Sequence, residues 1–221
     1  MRFRACSLLI LTLLTVSLPA QASEWYPIDT GRFWVYSSPD GGSYSATVET
    51  PELFAGSLVQ PLRWDSGTRE CLSQDEAGRV FYHGLTGAPD GSYEVFDPPF
   101  LRMESELTLG HEWEAIFDDV HYSADGVEVR RQQARITYRV INVGPVDVPA
   151  GTFQAAEVLI TPEWETLPFY AFRDWYAEGV GWIRRTDESG TSDLFELEAY
   201  GPVDVPTEAT TWGAIKSLYK D

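Results

Sequence analysis

The run EWEAIFDDVH at residues 112–121 and the run VEVRRQQARITYRVINV at residues 127–143 decide the fold class. Apolar and polar residues alternate along both runs, which is the period of a β-strand with one buried face. Asp125-Gly126 lies between the runs, and this dipeptide favours a tight reversal of the chain. The two runs therefore predict a pair of long antiparallel strands.

The same pattern continues outward in shorter runs rich in Val, Thr, Tyr, Phe and Trp, separated by Gly, Pro and Asp. The segment SSPDGG at 37–42 contains a turn, because Pro39 presets φ and Gly41 accepts a positive φ. Gly179 and Gly181 are interpreted as a bend or bulge inside one strand from Arg173 to Arg185. The other predicted strands cover residues 32–37, 43–50, 58–64, 68–73, 79–83, 93–96, 153–161 and 191–200.

The expected fold class is all-β, a curved antiparallel sheet or half-barrel with a short C-terminal helix. The helix is predicted at 211–219, where Trp212, Ile215, Leu218 and Tyr219 share one stripe. The predicted boundaries are a signal peptide at 1–22, an antiparallel β domain at 23–206 and a C-terminal helical tail at 207–221.

The first residues have the pattern of a secretory signal peptide. Arg2 and Arg4 precede an apolar run at 8–18, which is shorter than the roughly 20 residues that span a bilayer. Ala20-Gln21-Ala22 then supplies small residues at positions −3 and −1 of a cleavage site. We expect Sec export, cleavage after Ala22, a periplasmic or extracellular location, and no transmembrane segment in the mature chain.

The charge and the cysteine content limit which partners and which cross-links are expected. The chain has 34 acidic and 16 basic residues, a net charge of −18. Removing residues 1–22 removes two arginines, which gives 14 − 34 = −20. Such a surface repels nucleic acid and anionic lipid headgroups, so no nucleic-acid partner is expected. Cys71 is the one cysteine after Ala22, so no intrachain disulfide forms, and we expect Cys71 to be buried.

Several motifs with turn or packing character occur in a fixed order: GRFWVY at 31–36, PP at 98–99, LGHEW at 109–113, VPAGTF at 148–153 and WYAEGVG at 175–181. Their order and spacing resemble those of uncharacterised bacterial exported proteins and lipoproteins that carry a VPAGTF turn followed by a WYxxGVG strand. The resemblance covers most of the mature chain. It implies a curved sheet or half-barrel similar to periplasmic carriers and receptors that handle lipoproteins, and it implies no catalytic residues. The chain departs from many of these relatives because it has no lipobox cysteine.

The sequence contains no GxSxG elbow, HExxH helix, Walker loop or dinucleotide fingerprint. His111 and His121 share a strand face but lie roughly 33 Å apart along it, too far for one metal ion. We therefore expect no cofactor and no metal. Paired carboxylates for glycoside hydrolysis stay open, because so many acidic residues offer many pairs.

These observations favour an exported, non-enzymatic cell-envelope protein that binds an apolar, lipid-like ligand or an envelope protein partner. The alternative is a secreted carbohydrate-active or other hydrolase on a β-scaffold. For the first function, period-two alternation places aromatic rings on a concave face, although the same rings also suit an ordinary core. Trp175 and Trp182 have opposite parity unless a bulge lies between them. The candidate ligand-binding residues are Trp34, Tyr36, Trp113, Phe117, Trp175 and Trp182.

We predict that the exported protein begins at Ser23, and intact-mass spectrometry of the recovered protein checks this. Replacing Ala22 by Arg removes the small residue at −1 and should leave uncleaved precursor. The matched substitution Gln21→Arg, at the intervening position, should be processed normally. A mass that still includes residues 1–22 in the unmodified protein would contradict the prediction.

Overall fold

The computed structural model describes residues 25–165, 170–190 and 193–202, and these residues form an all-β protein. Burial alternates along residues 112–119 and 132–140, as the alternating sequence there predicts. The strands are β1 Arg32–Ser37, β2 Ser43–Val48, β3 Glu52–Phe54, β4 Ser57–Trp64, β5 Arg69–Gln74, β6 Val80–Thr86, β7 Tyr93–Met103, β8 Glu112–Tyr122, β9 Glu128–Val148, β10 Gly151–Trp164, β11 Phe172–Ala177, β12 Gly181–Asp187 and β13 Asp193–Pro202.

The sheet closes on itself. From β4 to β13 each strand pairs antiparallel with the next, β13 pairs with β1, and β1 pairs with β2. The ring is completed between β2 and β4, where Ala46 lies opposite Trp64 and Val48 lies opposite Leu62. The result is a closed antiparallel barrel of 12 strands, with β3 as an extra edge strand on β4. The prediction of an open curved sheet or half-barrel was therefore wrong, because the β2–β4 pairing leaves no open edge in the ring.

The segment from Arg173 to Arg185 forms two strands and not the single bent strand that was predicted. A turn separates β11 from β12, in which the Val180 N–H donates to the Ala177 carbonyl oxygen at 3.1 Å. Gly179 has a φ of 73° there, a conformation that glycine adopts without a steric penalty. A bulge was also expected near these glycines, and the β11–β12 register does shift between Trp175 and Tyr176.

No helix occurs among the residues that the structure describes, and hence none there is long and apolar enough to cross a membrane. The helix predicted at 211–219, the tail at 207–221 and the signal peptide at 1–22 all lie outside the described residues. The boundaries proposed for these segments stay predictions.

One end of the barrel is closed by side chains, and we call it the base. Tyr26 and Ile28, which precede β1, are buried in the core cluster together with Leu107 from the β7–β8 connection. Leu72 and Val80, at the base end of the β5–β6 hairpin, are each 0% exposed. The opposite end, where β1 leads into β2, β4 into β5 and β12 into β13, is called the mouth.

The longest hairpin, β9–β10, reaches across the barrel wall. Its tip contains the VPAGTF motif, and the Ala150 N–H donates to the Leu197 carbonyl oxygen of β13 at 2.9 Å. Phe153 also contacts Tyr200 of β13 edge to face. In the sheet, β11 and β12 lie between β10 and β13. The contacts of the β9–β10 tip therefore join β13 to a hairpin that is not its neighbour in the sheet.

The barrel wall leaves no room for a side chain at Gly84. Its φ is 152°, and a Cβ there would collide with the backbone carbonyl of Glu94 on β7. We predict that Gly84→Ala lowers the free energy of unfolding by at least about 2 kcal/mol, measured by urea denaturation. Gly144→Ala is the control, because a Cβ at Gly144 meets nothing within 4 Å and should cost under about 0.5 kcal/mol. Equal midpoints for the two variants would contradict this account.

Candidate functional site

The mouth half of the barrel contains a lumen that side chains do not fill. Eight strands give an interior that side chains just fill, whereas 12 strands enclose a wider space. Strand pairing shows which side chains point inward with Tyr138, Phe117 and the other core residues. Many inward-facing residues between the base and the mouth are only partly buried: Trp64, Glu70, Tyr82, Arg102, Trp164, Phe172, Trp182, Arg185 and Phe195.

An open pocket of about 760 Å³ lies at the mouth beside β11, β12 and β13. Phe172 and Phe195 supply aromatic walls, Leu194 and Tyr170 add apolar surface at the rim, and Arg185 contributes a guanidinium. Leu194 and Tyr170 are 40% and 83% exposed. The pocket therefore combines apolar walls with charged groups, namely the Arg185 guanidinium and the carboxylates of Asp187 and Glu188. Apolar walls with a few polar groups are typical of sites for small organic ligands.

Arg185 is held rigidly in this pocket. Its Nε and one terminal nitrogen donate to the two carboxylate oxygens of Asp174 at 2.7 and 2.8 Å. The guanidinium carbon lies 4.1 Å from the ring centre of Phe172 and 4.7 Å from that of Trp182. The Tyr176 hydroxyl donates to Asp174 at 3.0 Å, and the Asp174 side chain is 0% exposed. Burial alone would lower the pKa of Arg185, but Asp174 more than offsets this and raises it.

Glu70 and Arg102 are two further charged residues of the lumen. The Trp64 indole N–H donates to one Glu70 oxygen at 3.0 Å, and the other Glu70 oxygen is buried without a hydrogen-bond partner. Burial raises the pKa of Glu70, and the nearby Arg102 only partly opposes that shift. Arg102 also interacts electrostatically with Tyr138. Glu70, Arg102, Asp174 and Arg185 thus form a lumen network with two acidic and two basic members.

Tyrosine hydroxyls surround this network and stay neutral at ordinary pH. Burial raises the pKa of Tyr26, Tyr82 and Tyr176 above the usual phenol value, and the acidic residues Glu70 and Asp174 contribute in the same direction. A neutral phenol both donates and accepts hydrogen bonds. The centre of the barrel can therefore hydrogen-bond a polar group without adding charge.

The wall formed by β7, β8 and β9 carries another polar cluster on its inner face. One Asp119 oxygen accepts hydrogen bonds from Arg130 at 3.1 Å and Gln132 at 3.0 Å, and the other has no partner. His121 Nδ1 lies 3.5 Å from a Glu94 oxygen. Burial and the nearby Asp119 raise the pKa of Glu94. Within the described ranges, no three His, Cys, Asp or Glu side chains are placed to hold a metal ion.

Three of the predicted ligand-binding residues lie together. Trp34, Tyr36 and Trp182 line an enclosed cavity of about 10 Å³, which is at most the size of one water molecule. The Trp34 indole N–H donates to the Val180 carbonyl oxygen at 2.7 Å, and the Tyr36 hydroxyl donates to that of Trp182 at 3.0 Å. These hydrogen bonds hold the Trp34 and Tyr36 rings against the barrel wall. Trp182 also contacts Arg185 and so joins the edge of the mouth pocket.

The other three predicted residues lie elsewhere. Trp113 stacks on Tyr138 with ring centres 4.8 Å apart, and Phe117 stacks on Phe100 at 4.2 Å, both inside the barrel. Trp175 faces away from the lumen, since its neighbours Asp174 and Tyr176 point inward, and it lies under the guanidinium of Arg184 at 5.3 Å. The six residues therefore do not form one groove.

Sequence reasoning missed the charged members of the lumen, because bulges hide their parity. Arg185 lies three residues after Trp182, yet both point inward, since a register shift separates the residues of β11 that they oppose. Arg102 lies at a similar shift between Leu101 and Met103 on β7. Their residue type was the one available indication in the sequence. Charged side chains are rare in a hydrophobic core, so charged residues among aromatic ones in a strand suggest a polar interior.

Cys71 is buried, 0% exposed, and unpaired. Burial raises the pKa of its thiol to about 12, so the reactive thiolate is absent at neutral pH. Its environment therefore agrees with the structural role that was predicted for it.

Two solved structures resemble this fold. A protein from Bacteroides fragilis, assigned as exported and with a YmcC-like fold, aligns over 81% of this chain and 100% of its own, with a TM-score of 0.49 and 12% identity. A structure assigned as a lipoprotein from Parabacteroides distasonis aligns over 82% and 100%, with a TM-score of 0.40 and 16% identity. No family model and no curated protein matches the chain. Similarity at this level carries no argument about function, and the family resemblance based on the motifs stays a prediction.

We predict that Asp174→Asn destabilises the protein by about 3 kcal/mol, because it leaves the Arg185 charge inside the barrel without its carboxylate. Urea denaturation measures the change. Glu112→Gln is the matched control: it breaks an ion pair with Arg139 at 3.0 Å whose side chains are 57% and 59% exposed, and should cost under about 1 kcal/mol. If both variants unfold at the same urea concentration, Asp174 does not stabilise the lumen network.

Proposed function

We propose that this protein is an exported, non-enzymatic cell-envelope protein whose barrel lumen binds an apolar, lipid-like ligand through the mouth. The observation that carries the proposal is the open pocket of about 760 Å³ with aromatic walls from Phe172 and Phe195. Its volume lies in the range of small-molecule sites, roughly 300–1,000 Å³. The export part rests on the signal-peptide pattern that ends at Ala22.

The energetics of the pocket walls favour an apolar occupant. Phe172, Trp182 and Phe195 pack against the core but keep part of their surface exposed toward the mouth. Covering apolar surface is favourable by about 25 cal/mol per Å², so an acyl chain laid along these rings would gain several kcal/mol. A ligand so placed would also be shielded by rigid strands, which lose little conformational entropy on binding.

The hydrolase alternative has less support, because Asp174 is already engaged and Asp119 is hardly accessible. Both oxygens of Asp174 accept hydrogen bonds from Arg185. Glu94 lies near Asp119, and its pKa is raised, as the pKa of a general acid must be. Asp119, however, is only 1% exposed. A substrate would have to reach Asp119 past Arg130 and Gln132, which bond the same carboxylate oxygen.

We predict that the full-length protein, purified after expression, binds the neutral fluorescent probe N-phenyl-1-naphthylamine and that Ala171→Trp weakens this binding at least about tenfold. Ala171 lines the pocket, so a large ring there takes up ligand space without removing an existing side-chain contact. Fluorescence titration measures the dissociation constant.

Ala77→Trp is the matched control, because Ala77 is exposed in the β5–β6 turn at the base. It adds the same ring to the surface and should leave probe affinity unchanged. Equal weakening by both variants would indicate nonspecific surface binding. No probe binding by the unmodified protein, together with no lipid in solvent extracts of natively purified protein, would refute the proposed function.

A further inference from the structure

Arg102 has no ionic partner in the part of the chain that the structure describes, although acidic residues of the whole chain outnumber basic ones 34 to 16. Among the described residues, each of the other arginines lies within 4.0 Å of a carboxylate oxygen, and Arg102 alone does not. Its Nε is buried without a hydrogen-bond partner. A buried cationic donor left unpaired costs free energy, so this position requires an explanation.

No carboxylate of the described residues holds the Arg102 guanidinium, although the Tyr138 hydroxyl lies within its reach. Asp174 is occupied by Arg185 through both oxygens. Glu70 is close enough to interact with Arg102 electrostatically but bonds Trp64 through one oxygen and nothing through the other. The Arg102 N–H donors therefore face the lumen with no carboxylate in contact.

Further hydrogen-bond donors converge on the same place. Tyr138 and Tyr176, from β9 and β11, both interact electrostatically with Arg102, and so does Arg185 from β12. Two guanidinium groups and two phenol hydroxyls thus lie near one another in the barrel centre. Tyr176 and Arg185 already donate to Asp174, whereas the Tyr138 hydroxyl and Arg102 do not. Guanidinium forks and hydroxyls are the groups that bind carboxylates and phosphates in proteins.

We propose that the lumen binds an anionic amphiphile, with its oxyanion head group, a carboxylate or a phosphate, on Arg102 and its apolar chain along the mouth pocket. This inference rests on the proposed function and adds the ligand class. Arg185 interacts with Arg102 and also lines the pocket, so the head group lies below the pocket floor and the chain extends outward past Phe172 and Phe195.

The test compares ligands of one chain length that differ in the head group. Dodecanoic acid, dodecyl phosphate and dodecanol are titrated at pH 7.5 against the full-length protein loaded with N-phenyl-1-naphthylamine. We expect the acid or the phosphate to displace the probe at least about tenfold more tightly than the alcohol, as a charge-assisted hydrogen bond requires. The tighter of the two anions identifies the head group.

Variants then assign the preference to Arg102. Arg102→Met should reduce anion affinity to that of the alcohol and leave alcohol binding unchanged, an effect that a general loss of structure would not produce. Glu70→Gln keeps an acceptor for Trp64 and removes a negative charge, so it should strengthen anion binding severalfold. Arg139→Met, at an exposed arginine, should change neither.

The outcomes separate the two proposals. If acid, phosphate and alcohol displace the probe equally from the unmodified protein, the head-group inference is overturned and the lumen-binding function stands. If the probe does not bind at all, both fail. If Arg102→Met does not fold, the comparison of anion with alcohol on the unmodified protein decides the inference by itself.

Discussion

The pairing of β2 with β4 is the constraint on which the rest of the structure depends. It closes the sheet at 12 strands, and this circumference is too large for side chains to fill from wall to wall. The base is packed solid because Tyr26, Ile28 and Leu107 supply extra apolar volume from outside the strands. No comparable plug reaches the mouth half among the described residues. The barrel is therefore a cup, closed at the base and open at the mouth, and its unfilled interior results from the number of strands.

The charges inside the cup are stable only as a network. Asp174 and Arg185 satisfy each other through two short hydrogen bonds, and the rings of Phe172 and Trp182 enclose the guanidinium. Glu70 and Arg102 do not form such an ion pair, and a buried atom of each lacks a hydrogen-bond partner. Most buried polar atoms in proteins have a partner. This part of the lumen therefore differs from the part that contains Asp174 and Arg185.

Most of the strands were predictable from the sequence because period-two alternation and turn residues are local signals. β1 was predicted at its observed bounds, and the β8–β9 hairpin was evident from its alternation and Asp125-Gly126. Closure was not predictable, since no local pattern encodes the pairing of β2 with β4. The division of residues 173–185 into two strands was missed because glycines at a turn and at a bulge look alike in sequence. For the site, Trp175 faces away from the lumen, and the ligand-binding role of the six predicted aromatic residues stays a prediction. The register shift between Trp175 and Tyr176 concealed the inward direction of Arg185.

The positions of the described chain ends determine how the cup can be presented. Arg32, at the start of β1, pairs with Pro202, at the end of β13, so the chain enters and leaves the barrel on the base side. Among the described residues, the mouth at the opposite end is bordered by connections between strands. The open pocket beside β11, β12 and β13 therefore lies at the end of the barrel away from Arg32 and Pro202.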